Sequence, residues 1–389
     1  MRKLALLLGS LLVVASASAK EVVPAPVVVE EAPVQVIEKE VIVYRDKEVG
    51  FRPNGYVDLQ YRWYGETEGQ EESFDTREDV TEGNGNWNGN NNYSRIQLQG
   101  KINMTEKQSL EYRIRNYNST STHDNGKDGT DTRLRYFYNH GNLGDSKVNF
   151  TSRVHYRDRE DVAGAQEVEY QARFNFAEYM FNNDFIKTTN FVVAPKYKYV
   201  WNKNNDNYDN RIGFDIASFH ELPYGFSFEL NVYADQHFYG KDQFFDGTNK
   251  IDDKNFTISV EAYLYNTQNL YTSADGKVSV DFNFEGGYDT YEWSANRKYG
   301  TPHRDGGRYE DKYAINDPVG ARLKGVGTEK ESYSLYALPT LQVNYQATPS
   351  VKVYAAAGAE YRDWAVDSKS SATNWRWQPT VFAGFKTTF

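Results

Sequence analysis

The sequence predicts an all-β chain, a transmembrane antiparallel up-and-down β-barrel of about fourteen strands, and three observations carry that reading. Apolar and polar residues alternate with period 2 again and again from Gly55 to Phe389, which is the mark of strands with two unlike faces. No amphipathic helical stretch of convincing length is present to cover the apolar faces, as a soluble layered fold requires. The chain also opens on an export-type leader and carries Tyr 31, Phe 22 and Trp 7, the residues that form interfacial girdles around membrane barrels.

The leader, MRKLALLLGSLLVVASASAK, has Arg2 and Lys3 before an apolar run and Ala17-Ser18-Ala19 as a small-residue cleavage site, so residues 1–19 read as a signal peptide. The apolar run falls short of the roughly 20 residues that span hydrocarbon. Residues 20–52 form a periplasmic extension rich in Val, Pro and Glu, with Pro24, Pro26 and Pro33 favouring an extended chain. Val34, Ile37, Val41 and Tyr44 have 3-4-3 spacing and offer a short coiled coil as the alternative. Residues 53–389 form the barrel. The chain has no cysteine, which excludes disulfides and thiol-linked lipid.

Strand by strand, one parity is apolar. The first five strands show it in Val57, Leu59, Tyr61, Trp63; Ile96, Leu98, Ile102; Leu110, Tyr112, Ile114; Leu134, Tyr136, Tyr138; and Val148, Phe150, Val154, Tyr156. The next five continue with Val168, Tyr170, Phe174; Phe191, Val193, Tyr197; Ile212, Phe214, Ile216; Phe226, Phe228, Leu230, Val232; and Phe256, Ile258, Val260, Leu264. The last four carry Val278, Val280, Phe282, Phe284; Leu335, Leu341, Val343; Val351, Val353, Ala355, Ala357, Ala359; and Trp375, Trp377, Val381, Ala383, Phe385, Phe389. A one-residue slip of any strand would turn its charges into lipid, at about 2–4 kcal/mol for each Arg or Lys near the midplane. Pro195, Pro339 and Pro379 each lack a ladder donor, so bulges or strand ends are expected there.

Connections alternate in length. Residues 66–92, 118–131, 240–253 and 291–330 are long and polar, whereas 105–108, 220–224 and 347–349 are tight. The region of Asn183 and the stretch 266–276 are longer than turns should be, which leaves sixteen strands as the alternative count. Loop 291–330, with Arg297, Arg304, Arg308, Asp311 and Asp317, is the candidate for an inward-folded constriction.

The start KEVVPAP, the segment VIVYRD, the first strand FRPNGYVDLQYRWYGE and the ending VFAGFKTTF together resemble the fusobacterial major outer-membrane porin. The resemblance covers the whole chain. It implies an outer-membrane diffusion channel for small polar solutes and ions, a homotrimer, and a final Phe389 read by the barrel-assembly machinery. Outer-membrane lipid and lipopolysaccharide would surround it. General porins fold a long third loop inward, whereas the third loop here, 158–166, is short.

The polar parity is segregated by charge. Arg95, Lys101, Arg113, Arg115, Arg133, Arg135, Arg153, Arg157, Arg173, Lys196 and Lys198 fall on strands two to seven, against Glu111, Glu167 and Glu169. Asp209, Asp215, Glu229, Asp235, Glu261, Asp281, Glu285 and Asp289 fall on strands eight to eleven, against Arg211 and Lys277. Since consecutive strands are neighbours, a basic wall should face an acidic one across a wet lumen. Charges paired into ladders that fill the barrel are the alternative.

Other functions find little footing. A net charge of −10, −12 without Arg2 and Lys3, offers no basic footprint for nucleic acid. The six histidines show no metal-ligand spacing and no cofactor is implied. An adhesin or coat protein fits the long loops. A barrel hydrolase would need its nucleophile on the outer face; Ser94 and Ser152 are the outward mid-strand serines, and neither has a histidine at the adjoining wall position.

Overall fold

The computed structural model describes residues 50–68, 93–117, 129–160, 165–202, 208–245, 250–296, 331–363 and 375–389. The expected leader and all but residues 50–52 of the expected extension therefore lie outside the described residues, as does the candidate constriction loop beyond residue 296, with Arg297, Arg304, Arg308, Asp311 and Asp317.

Fourteen strands form one closed barrel: β1 (Asn54–Tyr64), β2 (Tyr93–Asn103), β3 (Gln108–Tyr117), β4 (Gly129–Asn142), β5 (Asn149–Arg159), β6 (Ala165–Asn175), β7 (Lys187–Asn202), β8 (Tyr208–Glu221), β9 (Phe226–Phe245), β10 (Lys250–Thr272), β11 (Val278–Ser294), β12 (Glu331–Thr348), β13 (Val351–Asp363) and β14 (Trp375–Thr388). Each strand pairs antiparallel with its sequence neighbours, and β1 closes on β14 from Tyr56↔Thr388 to Tyr64↔Thr380. Gly55 and Phe389 exchange two backbone hydrogen bonds of 3.1 Å at the seam. No sheet edge remains, which is what a strand-built membrane span requires.

The faces follow the alternation. Leu59, Ile114, Leu134, Val154, Val168, Ile212, Phe214, Leu341, Val343, Val353, Val381 and Phe385 are exposed on the outer surface, while Asp58, Gln60, Arg62, Arg95, Gln97 and Gln99 on the opposite parity are buried. Stacked or tilted aromatic pairs gather near both rims, Tyr199–Trp201 and Tyr361–Trp377 on the loop side and Phe150–Phe174 on the turn side. The seam also depends on one glycine. A Cβ on Gly384 would lie 2.6 Å from the Tyr354 hydroxyl, so the missing side chain lets Tyr354 cross β14 and donate to Asp58 at 2.7 Å on β1.

Several expectations are corrected. Much of 240–253 is strand, with β9 running to Phe245 and β10 starting at Lys250. The stretch 266–276 is mostly the end of β10, so the sixteen-strand alternative does not arise. Near Asn183 the chain makes a 3-10 turn, Ala177–Tyr179, and an isolated bridge Asn182↔Lys187 in place of another strand. Asp131, read as loop, belongs to β4.

Pro195 and Pro339 sit inside strands and break the ladder on one side only. The β6–β7 ladder skips residues 172–173, whereas Pro195 keeps Phe214 on β8. Pro339 keeps Phe284 on β11 and loses β13. A strand residue directs its single N–H to one neighbour, so a proline interrupts one ladder and spares the other. Pro379 likewise sits inside its strand rather than at an end: it keeps Ala359 on β13 and lies just past the last β1 pair.

Candidate functional site

The inner wall is built by rows that the pairing register sets. One row reads Gln99, Arg113, Arg133, Arg157, Glu167 across β2 to β6. The row beneath reads Lys101, Glu111, Arg135, His155, Glu169, Lys198 across β2 to β7. Three arginines thus stand side by side in the upper row, where their charges repel unless anions intervene.

The intervening anion is Asp131. Its carboxylate accepts from Arg113 Nη2 at 3.0 Å and from Arg157 Nε at 2.6 Å, clamping the two outer members of the trio. Arg133 between them, and Arg135 below, have no ion pair among the described residues. Glu169 accepts from Arg153 at 2.5 Å and Lys198 at 3.0 Å, and Glu167 lies 3.7 Å from Lys198. The basic wall therefore carries its own counterions. Sequence reasoning missed Asp131 because it was read as loop, although Asp131, Arg133 and Arg135 share one parity.

The acidic wall begins by being bound to the basic one. Lys196 Nζ reaches Asp215 at 2.6 Å and Asp235 at 2.9 Å, so the two charge fields meet and cancel where β7, β8 and β9 adjoin. Further round, carboxylates accept from tyrosines: Tyr265 to Glu229 at 2.8 Å, Tyr233 to Glu261 at 2.9 Å, and Tyr336 to Glu285. Asp281 accepts from Asn269 at 2.8 Å and Asn344 at 2.7 Å. The side chain of Asp289 lies outside the described residues. The simple picture of a wholly basic wall facing a wholly acidic one gives way to a cation-rich arc and a carboxylate–tyrosine arc, joined at Lys196.

Depth separates the cations further. Arg62, Arg95, Arg113, Arg115 and Arg362 are fully buried toward the loop side, with Arg62 and Arg95 over the Tyr64 ring at 5.4 and 6.0 Å and Arg362 over Tyr336 at 4.6 Å. Lys101, Arg135, Arg153, Arg173, Lys352 and Lys386 are only half-buried. Arg62 and Arg362, and Glu360 with its 2.5 Å bond to Arg362, were not singled out from sequence; their inward parity was the available signal. His237 and Arg211 share Asp209, at 2.9 and 2.6 Å.

The outer wall departs from expectation at one place. Ser94 is buried, but Ser152 does have a histidine: His140 Nε2 stands 2.8 Å from its Oγ. The residues directly opposite Ser152 are Tyr138 and Ala172. A bulge between Asn139 and Gly141 brings the next residue across.

No family model and no curated protein matches the chain. Among solved structures, a bacterial polysaccharide outer membrane secretin is 9% identical over 86% of this chain and 97% of its own, with TM-score 0.38. The outer membrane channel DcaP of Acinetobacter baumannii is 11% identical over 87% and 96%, with TM-score 0.32. An anion-selective porin from Comamonas acidovorans is 8% identical over 87% and 99%, with TM-score 0.31. At these values the likeness carries no argument for this chain.

Proposed function

We propose that the chain is an outer-membrane porin, a water-filled channel for passive diffusion of small polar solutes and ions. The observation that carries the reading is a closed barrel with an apolar outer face and an ion-rich inner face. Charges in such number are stable inside a membrane only where water or partner ions meet them, and the part-exposed pair Lys101 and Glu111 marks the wet side. The buried Arg and Tyr side chains toward the loop side form the narrow part. Arg95, Lys101, Arg113, Arg115, Arg133, Arg135, Arg153, Arg157, Arg173, Lys196 and Lys198, with Asp215, Glu229, Asp235, Glu261, Asp281 and Glu285, line the path.

The same reading places residues 1–19 as a leader and 20–52 on the periplasmic side, has Phe389 read by the assembly machinery, and matches the resemblance to the fusobacterial major porin. Three copies would pack through the small outer patch in which Ala355 pairs with Ala383 and Ala357 with Val381. Swelling of proteoliposomes tests the channel. Entry of sugars that slows with increasing size supports it; no swelling with correctly folded protein overturns it.

A further inference from the structure

A second set of reactive side chains lies on the outer wall, away from the inner wall and independent of the channel reading. Ser152 Oγ on β5 is 2.8 Å from His140 Nε2 on β4 and 3.1 Å from the Tyr170 hydroxyl on β6. The backbone makes this meeting. The bulge leaves His140 as an unpaired extra residue, with Gly141 at φ +93° and its N–H held by Asn139 Oδ1 at 2.9 Å. Bulges re-aim side chains, and this one leans the imidazole from its own position toward Ser152. The ring plane is then fixed by packing, stacked on Phe150 at 4.3 Å and edge-on to Tyr138 at 4.7 Å.

We infer that Ser152, His140 and Tyr170 form an ester-hydrolysing site facing the lipid, with glycerolipid acyl esters as its substrate class. A nucleophile, a base in contact with it and a further donor beside it are the parts that acyl transfer needs. Ser152 Oγ attacks the ester carbonyl while His140 Nε2 takes its proton. The Tyr170 hydroxyl, beside the same Oγ, donates to the oxyanion that forms. Collapse of the adduct breaks the bond to the alcohol, which leaves with the proton from His140. Water then gives a proton to Nε2 and attacks the acyl-serine, releasing the fatty acid and restoring Ser152.

Position favours this substrate. Ser152 is three residues from the turn-side end of β5, roughly 7 Å in depth for a strand tilted about 45°, near the level of lipid ester groups. Val154, next on the outer face, is 45% exposed, and Tyr170 46%, so an acyl chain can lie along the wall beside them.

The test treats the purified full chain in detergent with a fluorophosphonate probe and with p-nitrophenyl caprylate. The expected result is one adduct, mapped to Ser152, and hydrolysis that falls at least about 100-fold in Ser152→Ala and in His140→Phe, which keeps the stacking. Tyr170→Phe should lower kcat by about 100-fold while leaving KM near its starting value. Unchanged heat-modifiable gel mobility in the three variants, a readout of the closed barrel that does not depend on conduction, shows that the barrel is intact. No adduct at Ser152 on the unaltered protein, or hydrolysis unchanged in Ser152→Ala, overturns the inference; the three groups are then a brace across the outer strands. Labelling of the unaltered protein decides the matter even if a variant fails to fold.

Discussion

Asp131 holds Arg113 and Arg157 in place, and its side chain is 1% exposed. Removing one partner of a buried pair leaves charges uncompensated, at about 3–5 kcal/mol. Asp131→Ala should therefore lower the stability of the folded barrel by that amount, read as the shift in urea-induced unfolding in lipid vesicles, whereas a loss below about 1 kcal/mol would show that water already meets these arginines. A milder case sits in the turn between β10 and β11. The Ser273 hydroxyl at 2.6 Å and the Lys277 N–H at 3.1 Å hold the Asp275 carboxyl below its ordinary range. Its contribution is thus present above the ordinary aspartate pKa and is lost as pH falls through the lowered folded value. Amide exchange at Lys277 should accelerate in that acid window, and Asp275→Asn should abolish the acceleration. Which residues face inward was legible from parity. Which ones pair was not, because Asp131 reaches Arg113 and Arg157 only through the heights that the register sets.

Within single strands the alternation makes sharp demands. Val168 faces out on β6 and is 40% exposed, while Glu167 and Glu169 on either side are buried. Val168→Arg should cost about 2–4 kcal/mol of folding free energy in bilayers, and an equal, small effect of Val168→Arg and Gln171→Arg would contradict the assigned faces. The turn joining β8 and β9 holds Tyr224 at φ +60°, which costs an ordinary residue about 1–2 kcal/mol. Tyr224→Asn should raise stability by about 0.5–1 kcal/mol, since asparagine tolerates this region and the Tyr224 carbonyl keeps its bonds from Asn266 and Gln268. Strand number was readable because each strand repeats the same two-faced pattern. The bulge at His140 was marked only by Gly141, and which side chain it brings beside Ser152 depends on how β4 pairs with β5.

At the scale of the whole barrel, the cation-rich arc from β2 to β7 and the carboxylate–tyrosine arc from β8 to β12 give the interior a transverse field, weakened where Lys196 joins them. Such a field orients dipolar solutes and disfavours apolar ones. Replacing Arg113, Arg133 and Arg153 together by Glu should move the reversal potential toward cations, and an unchanged potential would remove these residues from the ion path. On the proposed function, ions and small solutes pass through this interior. The decisive measurement is single-channel recording of residues 20–389 in a planar bilayer under asymmetric salt. Steady, large conductance in steps of three with weak ion preference is expected; silence from correctly folded protein would overturn the channel and mean an interior filled by its own side chains.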